Sequence, residues 1–189
     1  MDGPHPEPGE QPGGTDPDNW QILVCVRSGR SWSEPVRVST AADAADRHPS
    51  RAADGDGGFV AIRETRALRS SGTNLSLRAS RSADGGRTWT PAEPVGLAPD
   101  AMSQRPRLSR DPDRTIRAVW YDSRSADWRW KVFTSRRGRT GWSAAEQLTT
   151  PGDNTWPAAD RGVVVFTTDR SATRTQRDAT QEVYALRAR

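Results

Sequence analysis

Three observations on this 189-residue chain predict an all-β fold built from four-stranded antiparallel units. No stretch carries a long helical apolar period, and even "STAADAADRH" (39–48) lacks an apolar face. Asp/Gly turns separate short runs in which apolar and polar residues alternate. Eight tryptophans, spread from Trp20 to Trp156, recur in similar local settings. The hydrophobic fraction of 33% and the mean hydropathy of −0.85 are low. A disordered chain shares that balance but does not carry so many large aromatic side chains, whereas short strands with one wet face account for both.

The elements follow in order. Residues 1–19, rich in Pro, Gly and acid, have neither a charged nor an apolar signal region and read as a disordered leader. As written the chain reads as cytoplasmic, or secreted if a signal lies upstream. No apolar run approaches the roughly 20 residues that span a bilayer, so no membrane partner is expected. The lone cysteine, Cys25, sits in "ILVCV" and reads as a buried structural thiol. "RSGRSWSEPVRV" (27–38) then pairs a Gly turn with Trp32.

Next, "VAIRETR" (60–66) is an apolar run ending in acid and arginine, and "NLSLRASRS" (74–82) alternates Leu75, Leu77 and Ala79 with polar residues. Asp84-Gly85-Gly86 is a hairpin tip, because Asp accepts from amides just ahead and Gly reaches positive φ without steric cost. "WTPAEPVGL" (89–97) is an edge strand. The glycines are not a phosphate cradle: no Lys and no helix follow them.

The same unit returns. "VWYDSR" (119–124) and "VVFTTDR" (164–170) repeat the apolar run ending in arginine, and "SRRGRTGWSAAEQL" (135–148) repeats the Gly turn with tryptophan. Trp32, Trp89 and Trp142 lie 57 and 53 residues apart. A third series, His48-Pro49, Arg105-Pro106 and Trp156-Pro157, precedes the apolar runs. About four strands in roughly fifty residues is the period of a β-propeller blade.

"SADGGRTW", Ser82 to Trp89, resembles the Asp-box, S-x-D-x-G-x-T-W, of the sialidase-like β-propellers, matching at Ser82, Asp84, Gly86, Thr88 and Trp89. The copies around Trp32 and Trp142 lack the Asp. The resemblance covers residues 20–189 and implies a partial propeller: a partial blade 20–40, blades 41–98 and 99–150, and a partial blade 151–189. About thirteen strands are expected, too few to close a ring of four to eight blades. The chain therefore reads as an open arc, a truncated fragment or one half of a homodimer that completes the propeller. The resemblance also makes the Asp-box a structural hairpin facing away from the ligand site, with Trp89 between blades.

Ligands of such propellers bind at the opposite face, on the inter-blade loops and the loops after the second strands. Those loops gather Asp43, Asp46, Arg47, His48, Asp100, Arg105, Asp153, Asn154 and Trp156, with Asp122, Asp127 and Trp128 nearby. Arg66, Arg124 and Arg170 end the apolar runs and are candidates for an anionic carbohydrate, since guanidinium matches carboxylate geometry. The competing reading makes them recurrent Arg–acid pairs of the scaffold.

By resemblance, a retaining exo-sialidase uses a tyrosine nucleophile helped by glutamate. Tyr184, with Glu182 two residues away on one strand face, is the candidate pair; Tyr121 reads as a packed strand residue. The Phe/Tyr-Arg-Ile-Pro motif of catalytic sialidases is absent. The expected function is thus recognition of an anionic glycan, with hydrolysis as an extension of it. The rival is a non-catalytic protein-interaction scaffold. No motif calls for a metal or other cofactor. Of 28 basic residues only Lys131 is lysine, and the arginines alternate with Asp and Ser, which argues against a nucleic-acid groove at a net charge of +4.

Overall fold

The computed structural model describes residues 20–39, 44–55, 57–67, 75–170 and 181–187. The leader and Asp43 lie outside them. Among the described residues the fold is all-β, without a helix. A ribbon opens the chain, with β1 (Leu23–Val24) paired to β4 (Val36–Arg37) and β2 (Arg27–Ser28) to β3 (Ser31–Trp32). The first blade is β5 (Ala44–Gly55), β6 (Gly58–Ala67), β7 (Ser76–Ser82) and β8 (Glu93–Val95) in sequential antiparallel order. The second is β9 (Ser103–Arg110), β10 (Ile116–Asp122), β11 (Lys131–Arg137) and β12 (Glu146–Gln147). The third has β13 (Asn154–Asp160), β14 (Val163–Thr168) and β15 (Glu182–Arg187). These sheets form the expected partial, open propeller.

Among the described residues fifteen strands replace the expected thirteen because the ribbon is interrupted. Val26 N–H bonds the Ser33 hydroxyl at 2.9 Å instead of a ladder carbonyl, so each ribbon arm splits in two. A second expectation fails in the same place: Cys25 is exposed. A two-stranded ribbon covers one face only, so Val24 and Val26 are half-buried while Leu23 and Cys25 face outward.

In the first two blades the second strand is buried on both faces, which explains its continuous burial, whereas β14 alternates between buried and exposed positions. All seven residues of β10 are buried. One core lies between the first two blades, where Val60, Ile62, Leu77 and Val95 meet Leu108, Ala118, Trp120 and Phe133. Trp120 stacks on Phe133 at 6.2 Å between ring centroids. Gly96, at φ +55°, floors the indole: a Cβ there would lie 2.5 Å from the ring. A second core joins Val119 and Val132 to Val164 and Phe166.

The X-Pro series marks a bulge. In β5, β9 and β13 the register against the second strand slips by one residue at His48-Pro49, Arg105-Pro106 and Trp156-Pro157. His48, Arg105 and Trp156 sit at φ of 49°, 51° and 51°, a left-handed conformation that non-glycine residues adopt only when surroundings impose it. Proline suits the next position, because a bulge leaves an amide without a ladder partner.

The Asp84 hairpin is knit by its own side chains. Ser82 Oγ accepts from Gly86 N at 2.8 Å, Asp84 Oδ1 accepts from Thr88 N at 2.9 Å, and Thr88 Oγ1 donates to Asp84 Oδ2 at 2.6 Å. Trp89 Nε1 donates to Gly86 O at 3.2 Å. The hydrogen bonds from Thr88, then Ser82, pull the Asp84 carboxyl from 3.8 down to about 2. A depressed folded pKa stabilises above the unfolded value and is lost as pH falls through the folded one. Asp84→Asn should therefore lower the melting temperature at neutral pH, with the deficit shrinking between about pH 4 and pH 2. A deficit independent of pH in a thermal series would contradict this. Trp120→Ala, opening the first core, should cost about 3–5 kcal/mol in denaturant unfolding.

Candidate functional site

The three bulges place their left-handed residues at one end of the blades, beside the ends of the second strands. The residue directly before each bulge pairs with Glu64, Tyr121 or Thr167, making these three positions equivalent. The bulge residues of the second and third blades reach back to the preceding blade, whereas His48 meets Glu64 of its own blade. Arg105 N–H donates to Glu64 Oε1, and the Trp156 indole lies 6.2 Å from the Tyr121 ring, tilted by 54°. Glu64 Oε2 is 2.7 Å from His48 Nδ1, within hydrogen-bonding distance.

The result is a connected cluster of His48, Glu64, Arg105, Tyr121 and Trp156. The Arg105 guanidinium lies 4.6 Å over the half-exposed Trp156 ring. It meets no carboxylate among the described residues, and its buried Nε has no hydrogen-bond partner. Tyr121 OH donates to Gln104 Oε1 at 3.0 Å, and Trp130 meets its ring edge-on at 5.2 Å. Burial pushes the Tyr121 phenol above 10, although nearby Arg105 opposes the shift. The cluster thus combines a guanidinium with no ion-pair partner among the described residues, a half-exposed indole face and a buried Glu64 carboxyl group that accepts from the Arg105 amide.

The other sequence candidates go elsewhere. Asp46 is buried, accepting from Arg63 Nε and Thr65 Oγ1, both at 2.7 Å, so it anchors the first blade. Arg47 lies 5.3 Å over the Trp20 ring. Arg124 Nη2 bonds Asp122 Oδ2 at 2.6 Å and Gly96 O at 2.7 Å, with its guanidinium 4.6 Å over Phe133. Burial pushes the Asp122 carboxyl up, but Arg124 and Ser103 outweigh it and leave the group below its ordinary value. Arg170 covers Tyr184 at 4.3 Å. Arg124 and Arg170 each stand three residues beyond the Tyr121 and Thr167 positions, whereas Arg66 stands two beyond Glu64. Arg66 is therefore out of phase with the other two, a correction to the sequence reading.

Tyr184 pairs with Phe166 as Phe133 pairs with Trp120, so it occupies a packing position between the second and third blades. Glu182 is half-buried on the same strand face, and Asp100 is exposed. Asp153 Oδ1 accepts from Trp130 N at 2.8 Å, Asn154 Nδ2 donates to Gly152 O at 2.9 Å, and Asp127 pairs with Lys131 at 2.8 Å. Trp128 is exposed. No group of three or more His, Cys, Asp or Glu among the described residues could hold a metal ion. No helix among them is long and apolar enough to cross a membrane. Glu64 does not stand out in the sequence, because its run is distinguished by the arginine that ends it. Counting across the strand pair from each X-Pro would have found it.

No family model and no curated protein matches the chain. Solved structures do. A sialidase, Hz136, described as Hadza microbial, is 16% identical over 84% of this chain and 36% of its own, with a TM-score of 0.59. A protein of unknown function from Dyadobacter fermentans is 16% identical over 89% and 52%, with a TM-score of 0.60. A family 43 β-1,3-galactosidase, BT3683, is 14% identical over 72% and 56%, with a TM-score of 0.52. The chain thus spans between about a third and just over half of these structures. At such identities the likeness establishes the fold: a propeller arc.

In an alkaline titration followed by tyrosinate absorbance, Tyr121→Phe should remove a step that lies above 10. A titration whose late step survives Tyr121→Phe would contradict the placement.

Proposed function

We propose that this chain is a glycan-recognising module of the sialidase-like propeller class, and that it holds an anionic carbohydrate at Arg105. The observation that carries this reading is the Arg105 guanidinium, stacked on the half-exposed Trp156 indole beside Tyr121, with no carboxylate at ion-pair distance among the described residues. A sugar carboxylate or sulfate supplies the acceptors, and a pyranose ring finds an apolar face on the half-exposed indole. The Ser82, Asp84, Thr88 and Trp89 bonding supports the Asp-box identification. The sialidase and galactosidase among the similar structures support a carbohydrate ligand.

Recognition is favoured over hydrolysis. Tyr121 hydrogen-bonds an amide rather than a carboxylate base, and the Tyr184–Glu182 pair belongs to a strand whose tyrosine packs against Phe166. Neither arrangement activates a nucleophile.

With 3′-sialyllactose as the probe and lactose as the neutral control, titration calorimetry should give binding to the sialoside only. Arg105→Ala should weaken it at least about tenfold, since a hydrogen bond to a charged group contributes about 1.5–3 kcal/mol. Tyr184→Phe should leave it unchanged, and a fluorogenic sialoside should not turn over. Equal affinity for lactose, or full affinity in Arg105→Ala, would overturn the assignment.

A further inference from the structure

Resting on the reading of Arg105 as the anion contact, we propose that the glycan is an oligosaccharide and that Trp128 carries a neutral sugar of the same chain in a second subsite. Trp128 is 87% exposed, more than any other large apolar side chain among the described residues, and it stands at φ 56°. Both features cost stability. An indole left in water forgoes its burial, and a bulky residue in the left-handed region is strained where glycine is not. At His48, Arg105 and Trp156 a bulge and its proline account for the same conformation; Trp128 lies outside the strands and precedes an arginine. Nor does an uncovered end of the arc expose it, since its loop belongs to the second blade, which packs against a blade on either side.

The loop that displays this indole is braced along its length. Arg124 N–H donates to Asp122 Oδ1 at 2.8 Å, Trp128 N–H to Ser125 O at 3.0 Å and Trp130 N–H to Asp153 Oδ1 at 2.8 Å. Buried Lys131 donates to Asp127 Oδ2 and to Gly152 O, both at 2.8 Å. An indole held in this way spares a ligand the entropy of ordering it. Trp128 borders a cleft of about 350 Å³ with Pro99, Asp100, Ser123, Arg124 and Ser125, within the size range of small-ligand sites. Its flat face suits the C–H face of a pyranose. Ser123 Oγ accepts from Met102 N–H at 3.0 Å and keeps its proton to donate, and the exposed Asp100 carboxylate accepts from sugar hydroxyls. Asp122 answers the charge of Arg124, so Asp100 leaves the cleft negative and favours a neutral sugar over a second acidic one. Asp100 and Arg105 are five residues apart, at most about 18 Å of extended chain, a span that a few pyranose units cover.

Calorimetry with a graded series, the methyl glycoside of sialic acid, 3′-sialyllactose and a monosialylated pentasaccharide, should show affinity rising with length by roughly fivefold to tenfold. Trp128→Ala should bind the methyl glycoside as the wild type does and lose the gain with length, whereas Arg105→Ala should weaken every member. Trp128→Gly should lose the same gain without a lower melting temperature, because glycine relieves the left-handed strain. A lowered melting temperature there would mark Trp128 as a support of the fold and overturn the proposal. Wild-type affinity independent of glycan length, or a gain that survives Trp128→Ala, overturns the Trp128 subsite and leaves the Arg105 reading in place. Binding of no member of the series, or full binding in Arg105→Ala, overturns both.

Discussion

The fold depends on one constraint: each second strand is apolar on both faces and must be covered from both sides. β10 meets it fully, with Trp120 turned toward the first blade and Val119 toward the third. A sheet of this kind cannot stand as an isolated half-wet hairpin, because both faces would expose apolar area worth about 25 cal/mol per Å². Stacking in an arc is the remaining solution, and it works only if consecutive blades pack in a fixed phase. The phase is set by bulky and small partners in register, such as Trp120 over Gly96, where any side chain would displace the indole.

The same stacking makes the candidate site. A bulge in the first strand of a blade is a local event, but the left-handed residue it creates projects onto the preceding blade. Arg105 and Trp156 therefore find their partners, Glu64 and Tyr121, one blade back. Left-handed backbone at histidine, arginine and tryptophan costs of order 1–3 kcal/mol each and persists only where the surroundings over-determine it. Here the determinants are visible: the following proline, the one-residue slip of the ladder and the inter-blade contact.

Much of this was legible in the sequence, for reasons that also explain what was not. The repeats could be read because Trp32, Trp89 and Trp142 each precede a hydroxyl residue with a fixed task. Ser33, Thr90 and Ser143 each accept, through the side-chain oxygen, the amide of Val26, Arg81 or Arg136, and donate their own amide to the same residue's carbonyl. The spans closed are 7, 9 and 7 residues, so only the middle loop is long enough to need internal bracing, and only it carries Asp84. The missing Asp in the other two copies thus reflects shorter loops rather than decay of the unit. Burial of Cys25 was misread because a run such as "ILVCV" does not reveal that its strand belongs to a ribbon with one free face. Glu64 was overlooked because its role comes from a residue 41 positions away.

Arginine shows why recurrence along the chain is a poor guide to function in a repeat fold. Arg124 recurs with Arg170 because both end a second strand, where a guanidinium can lie over the aromatic pair of its own blade. For Arg124 the charge is answered within the scaffold by Asp122, itself tied to Ser103 and Trp120. That position repeats because the packing repeats. Arg105 occupies a position that is also structural in origin, yet its neighbours at the equivalent bulges are His48 and Trp156, three different chemistries on one backbone geometry. Packing requires only the left-handed turn and the proline there, leaving the side chain free to vary. In a fold of this kind, function is to be sought where the backbone repeats and the side chain does not.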